Sequence, residues 1–386
     1  MVEIYVRKRE KIPKWFNIGL PTIATTTSLF LSFLTLVLFG LDFFMAVHEG
    51  LVHPLTTSYG WIHIILKTIT LLLCTLGLII AFKAGVWNIG AEGQILIGAT
   101  MATWIALFVM PSGNPIMTIT LMYLFGFIGG ALWAFIPGVL KAKFDVNEVL
   151  TTIMMNYIAF GIVSYLIVGP WRGKRVYGYE TTDVFPENAR LPVISKKIPI
   201  PYTSLILAIS LTILVYYLLY RTKIGLEIRT VGANPQAARA CGIPYDRTIV
   251  IAIMLSGGLA GLAGVNEVAG VHYQMRFPPS QISGGYGFTS ILVAFLARLD
   301  PLVAPVASIL IAMIIICGYS LQASFGVRKL VVNLFTGIFL ASLACAEVLY
   351  RYSIQIKFRG FRSLRKTMSR VRRFLGGCLR WLARWR

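Results

Sequence analysis

Three polar residues stand inside an apolar segment in the first half of the chain. Residues 85–99 read GVWNIGAEGQILIGA and place Asn88, Glu92 and Gln94 among glycines and aliphatic residues. An ionised carboxylate at the centre of a bilayer costs roughly 2.5–3.5 kcal/mol, so such a residue usually faces a bundle interior or an aqueous cavity. The segment therefore predicts a solute pathway lined by these side chains. The alternative is that Glu92 binds backbone groups freed by the neighbouring glycines.

Two further polar groups occur in apolar segments. Thr152 and Asn156 are spaced i, i+4 and share a helix face. They either line the same pathway or bond to a neighbouring helix. Asn266 and Glu267 form an acidic site at the end of another apolar run and are also assigned to the pathway. His272 follows them and is expected to be solvated.

The most specific signal is a polar segment, residues 225–247, which reads GLEIRTVGANPQAARACGIPYDR. Two prolines frame a short amphipathic helix, and the glycine that follows it is a typical helix stop. Small alanines let such a helix sit in a groove of another protein, where arginines pair with acidic residues. The residues assigned to this contact are Arg229, Pro235, Gln236, Ala237, Ala238, Arg239 and Gly242. The alternative is an ordinary basic loop on the membrane surface.

Composition excludes an ordinary water-soluble enzyme. Of the 386 residues, 57% are hydrophobic and 13% are charged, whereas a soluble domain usually has about 25% charged residues. The formal net charge is +21, but the basic residues lie in short blocks between apolar runs. This pattern favours anchoring at an anionic membrane leaflet over binding to nucleic acid. The five cysteines show no ligand spacing, so neither a disulfide framework nor a metal site is expected.

Ten apolar stretches are long enough to cross a hydrocarbon core of about 30 Å, which takes roughly 20 helical residues. The third and eighth are rich in glycine, so each is either a broken or re-entrant helix or a clean crossing. The first exceeds the core of a signal peptide and is expected to be retained. The ten stretches are residues 20–46, 61–82, 86–110, 115–140, 147–169, 202–220, 248–270, 282–298, 301–323 and 328–350.

Lysine and arginine set the predicted orientation. With the N-terminus inside, cytoplasmic segments hold 26 of the 36 basic residues and outer loops hold nine. Both termini are therefore predicted to be cytoplasmic. Ten spans divide into two sets of five, and an odd number per set inverts the second set. The prediction is an all-α membrane protein of about ten transmembrane helices in two inverted five-helix repeats. Residues 1–350 form the transmembrane domain, with residues 221–247 as a cytoplasmic loop.

Two other features complete the pattern. Glycines at 126 and 130, and at 257 and 261, are of GxxxG type and predict close helix packing. Residues 351–386 form a basic cytoplasmic tail that combines arginine with phenylalanine, leucine and tryptophan. This is the composition of an interfacial amphipathic helix, so the tail is expected to anchor to membrane lipid. The alternative is an extension without function.

Together these motifs resemble the inner-membrane permeases of ABC importers for nucleosides and simple sugars. These permeases belong to a wider superfamily with the branched-chain amino acid permeases. Thr289 stands where the family has an acidic residue. The resemblance is carried by NIGAEGQILIGA (88–99), NEVLTTIMMNYIA (147–159), GLEIRTVGANPQAARACGI (225–243) and GGYGFTSILVAFLAR (284–298).

The resemblance implies a permease subunit that moves a nucleoside or simple sugar across the cytoplasmic (inner) membrane by alternating access. The implied partners are an ABC ATPase docked on the helix at 235–242, a second homologous permease forming a heterodimer, and an extracellular substrate-binding lipoprotein. The sequence has no GxxxxGK[ST] motif, so this chain is expected to bind no cofactor while the partner uses ATP. The alternative is an ion-coupled secondary transporter that uses Glu92 and Glu267 as ion sites.

Overall fold

The computed structural model describes residues 2–8, 16–174 and 180–358. Most of the tail that is predicted to be an amphipathic helix lies outside the described residues. The chain forms two compact units. One consists of Met1–Thr35 with Gly337–Arg386, and the other is Leu36–Thr336.

The described residues are predominantly helical. In chain order the α-helices are α1 (Phe16–Val37), α2 (Phe43–Val47), α3 (His53–Thr56), α4 (Ser58–Lys83), α5 (Ala91–Trp104), α6 (Pro115–Phe144), α7 (Glu148–Val168), α8 (Tyr202–Arg221), α9 (Lys223–Ala233), α10 (Pro235–Ala240), α11 (Tyr245–Val265), α12 (Ser280–Ser283), α13 (Tyr286–Leu296), α14 (Ala304–Phe325) and α15 (Lys329–Arg351). Single π-helical segments occur at His48–Val52, Ile105–Val109 and Asn266–His272, and a 3-10 turn at Glu187–Ala189.

Two short antiparallel strand pairs accompany the helices, and neither is predicted from the sequence. In the first unit, β1 (Val2–Lys8) pairs with β4 (Tyr352–Phe358), so the basic tail begins with a strand. In the second unit, β2 (Val193–Ser195) and β3 (Ile198–Pro201) form a hairpin in the long loop before α8.

Seven described helices are long and apolar enough to cross a membrane: Ser58–Lys83, Ala91–Val109, Pro115–Phe144, Glu148–Val168, Tyr202–Arg221, Tyr245–His272 and Ala304–Phe325. This is fewer than the ten spans predicted. At the N-terminal end, the first predicted stretch is interrupted between α1 and α2. Shorter apolar helical segments occur in the described chain at Thr25–Val37 and Leu330–Ser342.

In the eighth predicted stretch, the structure shows the broken-helix alternative. Gly284 and Gly285 adopt φ angles of +56° and +74°, which end α12 and leave α13 with 11 residues. At 1.5 Å per residue, α13 covers about 16 Å, roughly half of the hydrocarbon core. The glycine-rich third stretch is interrupted in the same way, because residues 85–90 are not helical and α5 begins only at Ala91.

Helix α4 is the centre of the second unit. The most apolar 18-residue part of α4 is 94% buried within the protein, whereas the corresponding part of α8 is 28% buried. Thus α4 packs against protein along nearly its whole length, whereas most of α8 is not covered by the rest of the chain. Helix starts follow local capping: Asn114 and Asn147 accept backbone N–H groups at the first turns of α6 and α7.

The predicted close packing at the two GxxxG pairs is confirmed, and the two pairs pack against each other, which the sequence did not specify. A Cβ atom on Gly130 would overlap the backbone carbonyl of Gly257, and one on Gly261 would overlap that of Gly126. Helices α6 and α11 therefore touch backbone to backbone, which only glycine allows at these positions.

We expect Gly130→Ala to lower the apparent Tm of the purified protein in detergent, because the added methyl group must push two helix backbones apart at a cost of about 1–3 kcal/mol. Gly161→Ala is the matched control, since no atom lies within 4 Å of the position of its Cβ. Alanine favours a helix over glycine by about 0.5–1 kcal/mol, so the control should keep or raise the Tm. Equal Tm changes for both variants would contradict this packing.

Candidate functional site

Glu92 lies at the first turn of α5 and is 2% exposed. Its two carboxylate oxygens accept hydrogen bonds from the backbone N–H groups of Gly285, at 2.9 Å, and Gly287, at 2.8 Å. Both N–H groups belong to the start of α13, where backbone donors have no partner within the helix. A carboxylate there also interacts favourably with the positive end of the helix dipole. Glu92 thus caps a helix nearly 200 residues away in sequence.

Asn88 and Gln94 bond to each other, and Asn88 also bonds to helix α11. The Asn88 amide donates to Gln94 Oε1 and to Ser256 Oγ, each at 2.9 Å. The Gln94 amide returns a hydrogen bond of 3.1 Å to Asn88 Oδ1. All three side chains are at most 1% exposed. This network attaches the non-helical segment before α5 to α11, and Ser256 is a member that the sequence did not reveal.

Asn156 and Thr152 bond to the same segment from α7. Asn156 donates to the carbonyl of Ile89 at 3.0 Å and accepts from the N–H of Gly93 at 2.8 Å. Thr152 Oγ1 accepts from the N–H of Ile89 at 3.3 Å. Of the two alternatives for this polar face, the structure shows bonding to a neighbouring segment.

A second cluster surrounds Glu267, which is fully buried. Lys67 Nζ lies 3.2 Å from its Oε2, and Thr70 Oγ1 donates to its Oε1 at 2.6 Å. Asn266 donates to Thr70 Oγ1 at 2.9 Å. The prediction of a solvated His272 is wrong, because its Nε2 lies 3.5 Å from Glu267 Oε2 and the side chain is 19% exposed. Glu267 and His272 both belong to the π-helical segment Asn266–His272, which places the carboxylate and the imidazole next to each other.

Lys67 and Thr70 are the members of this second cluster that sequence reasoning missed. Lys67 is 8% exposed and is the only charged residue in the apolar stretch 61–82. An ionisable residue inside a membrane span is by default a functional candidate with a partner to be found. That signal pointed to Lys67, but no local pattern identified Glu267 as its partner.

The two clusters meet at the start of α13. The Lys67 ammonium lies 4.8 Å from the centroid of the Tyr286 ring, within cation–π range. Tyr286 sits between Gly285 and Gly287, the two residues whose amides bind Glu92. A shift of α13 along its axis would therefore disturb both clusters together.

The predicted short helix in the polar loop is confirmed as α10, Pro235–Ala240. The Asn234 side chain accepts the N–H groups of Gln236 and Ala237, and Gly242 follows with φ +75°. The loop is anchored through α9, because a Cβ atom on Gly232 would overlap the carbonyl of Lys83 at the end of α4.

Of the residues assigned to partner contact, some are buried within this chain and others are exposed. Ala238 is buried against its own chain, while the Arg229 guanidinium is half-buried and lies 5.1 Å from the Tyr220 ring centroid. The Arg239 guanidinium stacks on Tyr245 at 4.4 Å. The exposed members are Pro235, Gln236, Ala237, Arg239 and Gly242.

Comparison with known proteins identifies the family of this chain. The family described as "branched-chain amino acid transport system / permease component" matches residues 60–343, which include both polar clusters and the α9–α10 loop. The chain belongs to this family. No solved structure matches it significantly.

The relatives of this family member include permeases with named solutes. The glucose ABC transporter permease of Haloferax volcanii is 31% identical over 372 residues, covering 92% of this chain and 95% of the relative. The guanosine ABC transporter permease NupP of Bacillus subtilis is 29% identical, covering 75% and 82%. A nucleoside ABC transporter permease of Lactococcus lactis is 31% identical, covering 63% and 68%.

Proposed function

We propose that this chain is the transmembrane permease subunit of an ATP-driven importer and moves a nucleoside or a simple sugar across the cytoplasmic membrane by alternating access. The observation that carries the proposal is the similarity, over nearly the full length of both chains, to an ABC transporter permease named for glucose. Guanosine and nucleoside permeases among the relatives extend the solute class to other neutral hydroxylated rings.

The proposed topology has ten crossings in two inverted sets of five, with both termini in the cytoplasm. It is supported by the 26 to nine distribution of basic residues. A second support is that α5 and α13, the third helix of each set, are both preceded by a glycine-rich interruption. Paired interruptions at corresponding places are typical of substrate pathways between repeats. In this proposal Asn88, Glu92, Gln94, Thr152, Asn156, Asn266 and Glu267 shape the pathway by fixing those interrupted helices.

The exposed face of α10 is proposed to dock on an ABC ATPase. Pro235, Gln236 and Ala237 give a small, exposed surface, and Arg239 supplies a positive charge for an acidic partner groove. Movement of the docked α10 reaches the pathway through α9, whose Gly232 touches the end of α4. A second permease and an extracellular solute-binding lipoprotein complete the proposed complex, and ATP is bound by the ATPase alone.

Reversing the charge at the docking face is expected to uncouple the complex. Arg239→Glu should reduce ATP-dependent uptake at least tenfold while ATP hydrolysis and membrane insertion persist, because a repulsive charge now faces the partner. Lys143→Glu makes the same change at another exposed residue on the proposed cytoplasmic side and should transport normally. Wild-type uptake by Arg239→Glu would contradict the docking assignment.

The experiment that tests the proposed function is reconstitution. The chain, its ATPase, the second permease and the binding lipoprotein are placed in proteoliposomes, and uptake of labelled guanosine and glucose is measured. We expect uptake that needs ATP and survives collapse of the proton gradient. The two membrane carboxylates support this outcome over an ion-coupled carrier, because Glu92 is engaged in capping and Glu267 in an ion pair. Concentration of solute by the chain alone would refute the proposal.

A further inference from the structure

A cavity of about 420 Å³ lies between the segment that leads into α4 and the end of α14. Its walls combine aromatic rings with hydroxyl and imidazole groups: His53, Thr57, Tyr59, His63, Tyr319 and Ser320 are among them. On the proposed orientation this end of both helices faces outside. The lining contains no lysine, arginine, aspartate or glutamate.

Two serines at the α14 side of the cavity present acceptors. Ser320 Oγ donates to the backbone carbonyl of Glu49 at 2.7 Å, and Ser324 Oγ donates to Glu49 Oε2 at 3.0 Å. Hydrogen bonds from Ser324 and His48 lower the pKa of Glu49, so this carboxylate stays an acceptor. With their protons committed, the oxygens of Ser320 and Ser324 are left to accept hydrogen bonds from a solute.

The α4 side offers ring faces. Tyr59 and His63 form an edge-to-face pair with centroids 4.4 Å apart, and the Tyr59 side chain is 73% exposed. Such an exposed ring stacks on a flat or hydrophobic ring face, while imidazole nitrogens and the phenol bind hydroxyl groups. The cavity thus has hydrogen-bond acceptors on one wall and aromatic rings on the other, which suits a neutral, hydroxylated ring. Its lining has no lysine or arginine to bind an anion.

Residues in the wall of the cavity are linked to the buried clusters. Tyr319 lines it and interacts with Tyr286 at the start of α13, and Lys67 lies over the Tyr286 ring. His63 precedes Lys67 by about one turn of α4. A solute in this cavity would therefore contact His63 and Tyr319, which neighbour Lys67 and Tyr286.

We propose that this cavity is a solute-binding site at the outer end of the permease, and that it takes a neutral hydroxylated ring such as a nucleoside or hexose. This inference rests on the proposed function, because it places the imported solute at these residues. It predicts that filling the cavity blocks transport without disturbing ATPase docking.

The test fills the cavity with Ala323→Trp, since Ala323 lines it and its side chain makes no hydrogen bond that would be lost. Val306→Trp adds the same ring at a 66% exposed site near the start of α14 and serves as the control. In the reconstituted complex we expect Ala323→Trp to lower ATP-dependent uptake of guanosine or glucose at least tenfold, with the control near wild type. Wild-type uptake by Ala323→Trp would overturn the proposal.

Two further measurements keep the test decisive if Ala323→Trp does not assemble. Tyr59→Ala should raise the half-saturating solute concentration for uptake several-fold, and an unchanged value would overturn the proposal. Photolabelling of the wild-type complex with 8-azidoguanosine should mark peptides containing residues 53–63 or 316–324, and labelling only elsewhere would overturn it. A wild-type complex without ATP-dependent uptake of either solute would instead refute the proposed function.

Discussion

Replacing Lys67 by methionine is expected to be the most damaging single change in the chain. It leaves the Glu267 carboxylate fully buried with no positive charge at 3.2 Å. Removing one partner of a buried ion pair typically costs about 3–5 kcal/mol, because the remaining charge loses its counter-ion. His272, 3.5 Å from Glu267 Oε2, can replace the lost charge only when it is protonated. We expect loss of a well-folded protein, measured as recovery of monodisperse material in detergent and as a large fall in apparent Tm.

The double variant Lys67→Met with Glu267→Gln shows whether the instability comes from the unpaired charge or from the changed size and shape of the side chain at position 67. It removes both charges and keeps the Thr70 hydrogen bond to a side-chain oxygen, so most of the lost stability should return. Lys143→Met is the control, because Lys143 is exposed. A wild-type Tm for Lys67→Met would contradict the ion pair, and so would a double variant that is as unstable as the worse single variant.

Replacing Glu92 by leucine is expected to abolish transport. The N–H groups of Gly285 and Gly287 then lose their acceptor inside the protein, and each unsatisfied buried donor costs about 1–3 kcal/mol. The start of α13 should detach from α5, so Tyr286, which lies beneath the Lys67 ammonium, loses its position. Uptake by the reconstituted complex should fall more than tenfold.

Graded replacements test whether capping is the cause. Glu92→Gln keeps one acceptor oxygen, so uptake by this variant should lie between that of the wild type and that of Glu92→Leu. Glu180→Leu makes the same chemical change at an exposed position in the long loop before α8 and should transport normally. If glutamine and leucine at position 92 behave alike and both retain uptake, capping by Glu92 is not needed.

The parts of this fold that depend on local sequence were predictable. Helix α10 is an example, because the cap at Asn234, the proline after it and the stop at Gly242 all lie within a few residues. Apolar runs likewise predicted the positions of the long helices. Close packing at the GxxxG glycines was also predictable, although the pattern did not specify that the two pairs contact each other.

The partners of the buried charges were not predictable in the same way. Lys67 and Glu267 are 200 positions apart, and Glu92 reaches amides 193 and 195 positions away. Nothing in either local segment specifies the other, because tertiary packing alone brings them together. The sequence left open whether the eighth stretch is broken, because hydropathy counts apolar residues, whereas two glycines with positive φ decide where α13 begins.

The separation of Lys67 from Glu267 also has a consequence for biosynthesis. A ribosome adding about 5–20 residues per second needs roughly 10–40 seconds to translate the 200 residues between them. During that interval α4 enters the bilayer carrying a lysine without its counter-ion, at roughly 2.5–3.5 kcal/mol. Its mean hydropathy of 2.4, the highest among the seven candidate spans in the described chain, offsets this penalty. The leucine- and isoleucine-rich surface of α4 thus serves insertion first and packing later.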